Sequence, residues 1–248
     1  MKFKRTTSDD GRPLYTFPSD KTYIVPGDIH FPIHNPALVT KATLNKYCDV
    51  LFLQGDTGDQ EGFSRFPKDP EKIAKSNSMV REKDNWKKYL DLWLKEYKYI
   101  IIGPGNHEYR AQKLVFGNPG FIGMDWWWPY GSLFNDNRII LLDHGYRAII
   151  DDCIVEHGDM LKGSTGKCPA YSVAESARDG LCHIFGHTHK VGSSYFTSFK
   201  KGKAVVTTGI NIGTLVDTKK VDYTYEPNWQ AGYACIVPGN VETYEISK

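Results

Sequence analysis

The chain has 248 residues, with 31 Lys and Arg against 29 Asp and Glu and a formal net charge of +2. Hydrophobic residues are 40 % and charged residues 24 %, which excludes a disordered tail, a collagen or a coiled coil and allows a sizeable buried core. So small a net charge does not advertise nucleic-acid or membrane binding by bulk electrostatics, and no apolar run approaches the roughly 18 residues of a membrane span.

The basic start, Met1-Lys2-Phe3-Lys4-Arg5, is followed by no apolar segment and does not read as a signal peptide. Tyr23, Ile24 and Val25 form the first apolar run, which leads into Gly27-Asp28-Ile29-His30. A short helix is expected over 37–46. Val50, Leu51, Phe52 and Leu53 then run into Gly55-Asp56. A long helix is expected over 71–97, where Trp86, Tyr89, Leu90, Trp93, Leu94 and Tyr97 recur at helical spacing. Tyr99, Ile100, Ile101 and Ile102 run into Gly105-Asn106-His107-Glu108, and a third helix fits 109–116. Cys153, Ile154 and Val155 run into His157-Gly158-Asp159, a fourth helix fits 170–179, and Ile184-Phe185 runs into Gly186-His187-Thr188-His189. Short β-branched runs bounded by turn residues read as buried strands, and their alternation with helices predicts a mostly parallel sheet. From about residue 190 the helices stop. Strands over 191–199, 204–208, 233–237 and 243–246, with a hairpin turn at Lys200-Lys201-Gly202-Lys203, predict a second sheet. The whole of 1–248 reads as one domain, with 216–232 as a surface loop.

In open α/β sheets ligands bind beyond the carboxyl ends of the strands. Five such ends here carry Asp, Asn or His, and they hold five of the eight histidines: His30, His107, His157, His187 and His189. Asp28 with His30, and His187 with His189, are i, i+2 pairs whose side chains point the same way in extended backbone. Imidazole mixed with carboxylate suits manganese, iron, zinc or nickel better than calcium or magnesium. No cysteine joins the set, so a structural zinc site is not indicated. The five cysteines, Cys48, Cys153, Cys168, Cys182 and Cys235, are odd in number and never spaced C-x-x-C, as expected of reduced thiols rather than a disulfide frame.

Taken in order, Asp28-Ile29-His30, Gly55-Asp56, Gly105-Asn106-His107-Glu108, His157-Gly158 and Gly186-His187-Thr188-His189 resemble the signature blocks of the calcineurin-like metallophosphoesterases, over about residues 21–215. The resemblance implies an α/β fold, a four-layer αββα sandwich of two mixed β-sheets flanked by helices. It implies two divalent metal ions, manganese first, with iron, zinc, nickel or cobalt as alternatives. By that resemblance Asp28, His30 and His189 ligate one metal, Asn106, His157 and His187 ligate the other, and Asp56 bridges both. A hydroxide between the metals would attack phosphorus, and His107 would act as general acid without being a ligand.

The activity so implied is phosphoester hydrolysis. The second block, Gly-Asp-Thr-Gly-Asp, lacks the Asp-Arg-Gly of serine/threonine protein phosphatases. His107 stands where lipid A precursor pyrophosphatases carry Arg. The chain looks most like small phage and bacterial members, which favours a phosphodiesterase or nuclease acting on nucleotides or DNA. The alternatives are a phosphomonoesterase, protein phosphatases included, and a non-catalytic scaffold that keeps the fold. The expected location is the cytoplasm, that of the host if the chain is phage-encoded, with a phosphoester as partner and no membrane. Around the motifs, Asp59 reads as an acceptor for a ligand histidine, a substrate contact or a turn residue, and Asp159 is similar. Arg110 reads as a substrate contact or a solvated helix residue. Lys162, Lys167 and Lys190 read as surface lysines or the lining of a polyanion groove. Trp126-Trp127-Trp128 reads as core or as a stacking wall for a base. His34, His144 and His183 match no block and read as structural; Glu108 receives no direct role.

Overall fold

The structure is a computed structural model that describes residues 1–44, 47–63, 79–117, 131–221 and 227–246. Two mixed sheets stand at its centre. In the six-stranded sheet β3 (Tyr23–Pro26), β4 (Val50–Leu53), β5 (Tyr99–Ile102) and β6 (Ile139–Leu141) run parallel, and β12 (Ala231–Val237) and β13 (Asn240–Ile246) extend it antiparallel beyond β3. The seven-stranded sheet has the order β1 (Lys4–Thr7), β2 (Pro13–Phe17), β7 (Arg147–Ile150), β8 (Cys153–Val155), β9 (Cys182–Phe185), β11 (Lys203–Ile212) and β10 (Val191–Lys200).

Alternation along the strands sorts the core into layers. Ile24, Leu51, Leu53, Ile100 and Ile102 face one way and pack against α1 (Pro36–Thr43) and α2 (Met79–Glu96) through Leu38, Val39, Trp86, Tyr89 and Trp93. Tyr23, Val25, Val50, Phe52 and Ile101 face the other way and meet Phe17, Ala148, Ile150, Val155, Ile184 and Ile210 of the second sheet. The helix α4 (Pro169–Ala177) buries Val173 and Ala174 and closes on β10 and β11 so tightly that a Cβ at Gly209 would stand 2.0 Å from the Ala170 carbonyl. The layers are helix, sheet, sheet, helix, as the resemblance implied.

The helices follow from local chemistry. Asn35 caps α1, its side-chain oxygen accepting from the Ala37 and Leu38 N–H groups at 3.0 and 3.3 Å, and Pro36 fits the first turn because no donor is needed there. Trp93 donates from Nε1 to Thr43 Oγ1 at 2.8 Å and so ties α2 to the end of α1. The third helix, α3 (Glu108–Gly117), begins inside the third motif.

One expectation needs correction. The first sheet is mostly parallel as expected, with only β12 running against the rest, but the second is not built from the C-terminal strands alone. β12 and β13 return to the first sheet, while β1, β2 and β7 join β8 to β11, because β2 pairs with β7 and β12 pairs with β3 across long sequence separations. β1, β2, β6 and β7 escaped the pattern because they are short or polar and mostly half-exposed. The first helix stops at Thr43, two residues past Lys41, and its last residues as expected, 45–46, lie outside the described residues, as do 71–78 of the long helix, Trp126-Trp127-Trp128 and part of the 216–232 loop. No helix among the described residues is long and apolar enough to cross a membrane.

Candidate metal centre

The five motif-bearing ends come from both sheets, three after β3, β4 and β5 and two after β8 and β9, and they meet above the sandwich. Asp28, His30, Asp56, His157 and His189 are buried, and Asn106, His107 and His187 are half-buried. The donor atoms of Asp28, His30 and His189 lie within 4.8 Å of one another, as do those of Asp56, His157 and His187, and those of His30, Asp56 and His107. His189 Nε2 is 3.3 Å from Asp28 Oδ2, and His157 Nε2 is 3.2 Å from Asp56 Oδ2. Asn106 Oδ1 lies 3.0 Å from His157 Nε2 and 2.8 Å from His187 Nδ1. All seven sequence-identified ligand candidates are therefore together.

The backbone is forced to bring them there. His30, Asp56, His187 and His189 hold φ values of +54°, +47°, +66° and +60°, a region that non-glycine residues enter at a cost and that concentrates at functional sites. Gly105 and Gly186 allow the loops to close: a Cβ at Gly105 would stand 2.2 Å from Asp56 Oδ1, and one at Gly186 would stand 2.1 Å from Asp28 Oδ1.

Neighbouring groups then fix the tautomers. Asp59 Oδ1 lies 3.0 Å from His30 Nδ1 and claims its proton. Gln54 donates from Nε2 to Asp28 Oδ1 at 2.5 Å, which turns its Oε1 toward His157 Nδ1 at 3.1 Å. His30 Nε2 then lies 3.1 Å from His189 Nε2, and His157 Nε2 faces the Asp56 and Asn106 oxygens. Oxygens so placed need positive charge opposite them, a proton on Nε2 or a cation in its place. Burial pulls His157 down, but the Asp56 carboxylate, helped by Asp28, pushes it up to about 10. Burial pulls Asp56 up, but the surrounding imidazoles hold it well below the usual carboxylate range. A cluster of buried carboxylates and imidazoles fits a metal ion, and these residues could hold one.

His107 belongs to the third of these groups, with His30 and Asp56, and its own contacts set its orientation. Its N–H donates to Asp56 Oδ1 at 2.9 Å, and its Nδ1 faces the Asp59 carbonyl at 2.7 Å and Asp59 Oδ1 at 3.2 Å. Its Nε2 lies 3.9 Å from Asp56 Oδ2 and 3.1 Å from the Arg110 guanidinium. Burial lowers this imidazole, but Asp56 and Asp59 outweigh it and raise it to about 9, against the opposing charge of Arg110. Arg110 donates to the Asp59 carbonyl at 3.1 Å, bonds Glu61 at 3.3 Å and reaches within 3.1 Å of His107 Nε2. It is neither fully solvated nor free of protein contacts: it braces the loop that holds His107. Asp59 is buried between two histidines, the acceptor role among the three readings, and burial is outweighed by those imidazoles so that it stays ionised. Asp159 sits 3.6 Å from His144, away from the ligand atoms, and His183 pairs with Asp179 at 3.0 Å.

Two supporting residues escaped the sequence reading. Glu108 opens α3 and its carboxylate accepts the N–H groups of Asp56 at 3.0 Å, Gly58 at 2.8 Å and Gly105 at 2.9 Å, locking two ligand loops together. Gln54 ties Asp28 to His157, and its carbonyl accepts the Tyr146 hydroxyl at 2.6 Å. Their signal was positional: Glu108 closes the third motif and Gln54 directly precedes the second, but neither is among the residues the resemblance assigns to a metal. On the outer side Trp229 stands edge-on to His189 with ring centroids 4.3 Å apart. Compared with models of known protein families and with curated proteins, the chain matches none.

Proposed function

We propose that this protein is a metal-dependent phosphoester hydrolase that prefers diesters, nucleotides or DNA among them. The observation that carries the reading is Asp56, a buried carboxylate whose donor atom lies within 4.8 Å of those of His157 and His187 in one group and of those of His30 and His107 in another, with Asp28 and His189 grouped on His30 and Asn106 held against His157 and His187. Two divalent cations held close together would need a shared anion, and Asp56 would be that residue. Such a pair, manganese first, would supply Lewis acidity and an activated water to a phosphoryl group.

The rest of the work falls to side chains. His107 holds its Nδ1 against Asp59, which leaves Nε2 as the atom that would hand a proton to a departing oxygen. Asp59 couples His107 to His30, so the acid and a ligand share one anchor. Arg110 keeps positive charge beside Nε2 and is available to an incoming phosphate oxygen. Glu108 and Gln54 keep the ligand loops in register, so little reorganisation remains when substrate arrives.

The test is turnover of chelator-stripped protein resupplied with manganese, nickel, cobalt, zinc or magnesium, on bis(p-nitrophenyl) phosphate and p-nitrophenyl phosphate side by side. Metal-restored cleavage, faster on the diester, is the expected result. Cleavage of the monoester alone moves the assignment to a phosphomonoesterase, and no cleavage with any metal overturns it.

A further inference from the structure

A second feature opens beside the metal centre. A cavity of about 480 Å³ lies between the start of α4, which contributes Pro169, Ala170 and Tyr171, and the start of β10, which contributes Val191 and Gly192. That volume is in the range of small-molecule sites. The cavity is lined by residues that adjoin the loop carrying His187 and His189. Lys190 on its wall directly follows His189 in the chain, and Gln230 donates its backbone N–H to the His189 carbonyl at 3.0 Å. Gln230 Oε1 accepts the Val191 N–H at 3.3 Å, and Asn211, also on the wall, donates its amide to the Thr188 hydroxyl.

The lining has three chemical parts. Pro169, Ala170, Val191 and Gly192 give an apolar slot, flanked by the ring of Tyr171, which is 41 % exposed. The amides of Asn211 and Gln230, each bonded once at its nitrogen and once at its oxygen within the protein, keep a second N–H and a second lone pair as hydrogen-bonding edges, and Lys167 and Lys190 supply positive charge. A flat heteroaromatic ring with polar edges, joined to an anionic ester, answers all three parts at once. A fatty chain would leave the lysines without a counter-charge, and a simple phosphate would leave the slot empty. We infer that this cavity binds the nucleoside of a nucleoside phosphodiester whose phosphate lies at the metal centre. The inference rests on the phosphoesterase reading above and narrows its substrate class.

Gly192 gives the means to test it. A Cβ there meets nothing within 4 Å and its φ is not in the left-handed region, so a large side chain can enter the cavity without backbone strain. The experiment compares kcat/KM for thymidine 5′-(p-nitrophenyl phosphate) and bis(p-nitrophenyl) phosphate, which lose the same leaving group and differ only in the group retained on phosphorus. The wild-type protein should prefer the thymidine ester. In Gly192→Phe, and separately in the surface variant Tyr171→Ala, the ratio of the two values should fall about tenfold, the scale of one well-placed contact. An unmoved ratio in both folded variants overturns the inference while leaving the phosphoesterase reading intact. If the wild-type protein cleaves neither ester with any metal, that reading fails on its own. The cavity is then decided by calorimetric titration with thymidine 5′-monophosphate: binding that Gly192→Phe weakens supports the nucleoside pocket, and no binding, or binding that the variant leaves unchanged, overturns it.

Discussion

His107 is the residue whose assignment makes the sharpest kinetic claim. A general acid matters in proportion to how badly the leaving oxygen needs a proton. His107→Ala should therefore lower turnover of a diester with an alkyl leaving group by about 10²–10⁴-fold, and that of a p-nitrophenyl diester by much less. Equal losses on both, measured as kcat on the metal-loaded protein, would make His107 a positioning group rather than the acid. Asp59 shows how local the arrangement is. One carboxylate oxygen serves His30 at 3.0 Å and His107 at 3.2 Å, so a single side chain orients a metal-ligand candidate and the proposed acid together. Asp59 was open in the sequence between three roles because spacing alone does not say which way a turn carboxylate points.

At the scale of elements, the site depends on loops that close against each other with no slack. Glu108, the first residue of α3, accepts N–H groups from the loops after β4 and β5, and α2 reaches the same region through Glu82, which accepts the Gln60 N–H at 2.9 Å. At Gly105 an added Cβ would stand 2.2 Å from Asp56 Oδ1. Gly105→Ala must displace Asp56, and manganese affinity measured by calorimetry should fall about 10–100-fold, as it does when the support of a ligand is lost. Gly117→Ala, where a Cβ meets nothing within 4 Å, is the matched control and should leave affinity as it is. Unchanged affinity in Gly105→Ala would mean that Asp56 is not held where the metal needs it. The elements themselves were legible where burial makes the pattern continuous. β3, β4, β5, β8 and β9 are short apolar runs that end in motif residues, and each is found where the residues put it. β1 is wholly exposed and polar and leaves no apolar run, whereas β6 and β7 carry the short apolar runs Ile139–Leu141 and Ala148–Ile150, which end in none of the five motifs. Pairing across the chain, β2 with β7 and β12 with β3, is decided by tertiary packing and leaves no local trace.

The molecule as a whole places three motif loops from one sheet and two from the other around a single point, which is why the ligand set spans Asp28 to His189. The layers beneath it carry charge as well as apolar surface. His34 lies in the aromatic layer, edge-on to Phe31 at 4.8 Å and to Tyr89 at 5.3 Å, and burial, with Lys220 nearby, pushes it down to about 4. Its folded value is below its unfolded value of about 6.5, so the unfolded chain takes up the proton first. Its stabilising contribution is therefore complete above about pH 6.5 and is lost as the pH falls toward 4, by at most about 3 kcal/mol. Urea unfolding of His34→Leu between pH 7 and pH 4 should show a smaller loss of stability than the wild-type protein by that order. Parallel pH profiles would place the imidazole in water rather than among the rings. The ligand residues contribute to both profiles alike and cancel in the comparison.

The central claim is that the residues around Asp56 hold a pair of divalent cations. Its most direct test is the metal content, by plasma mass spectrometry, of chelator-stripped protein that has been loaded with manganese and desalted, for the wild-type chain and for Asp56→Asn. Two ions per wild-type chain and one or fewer in Asp56→Asn is the predicted result. No retained metal in the wild-type chain, or an unchanged count in Asp56→Asn, would contradict it.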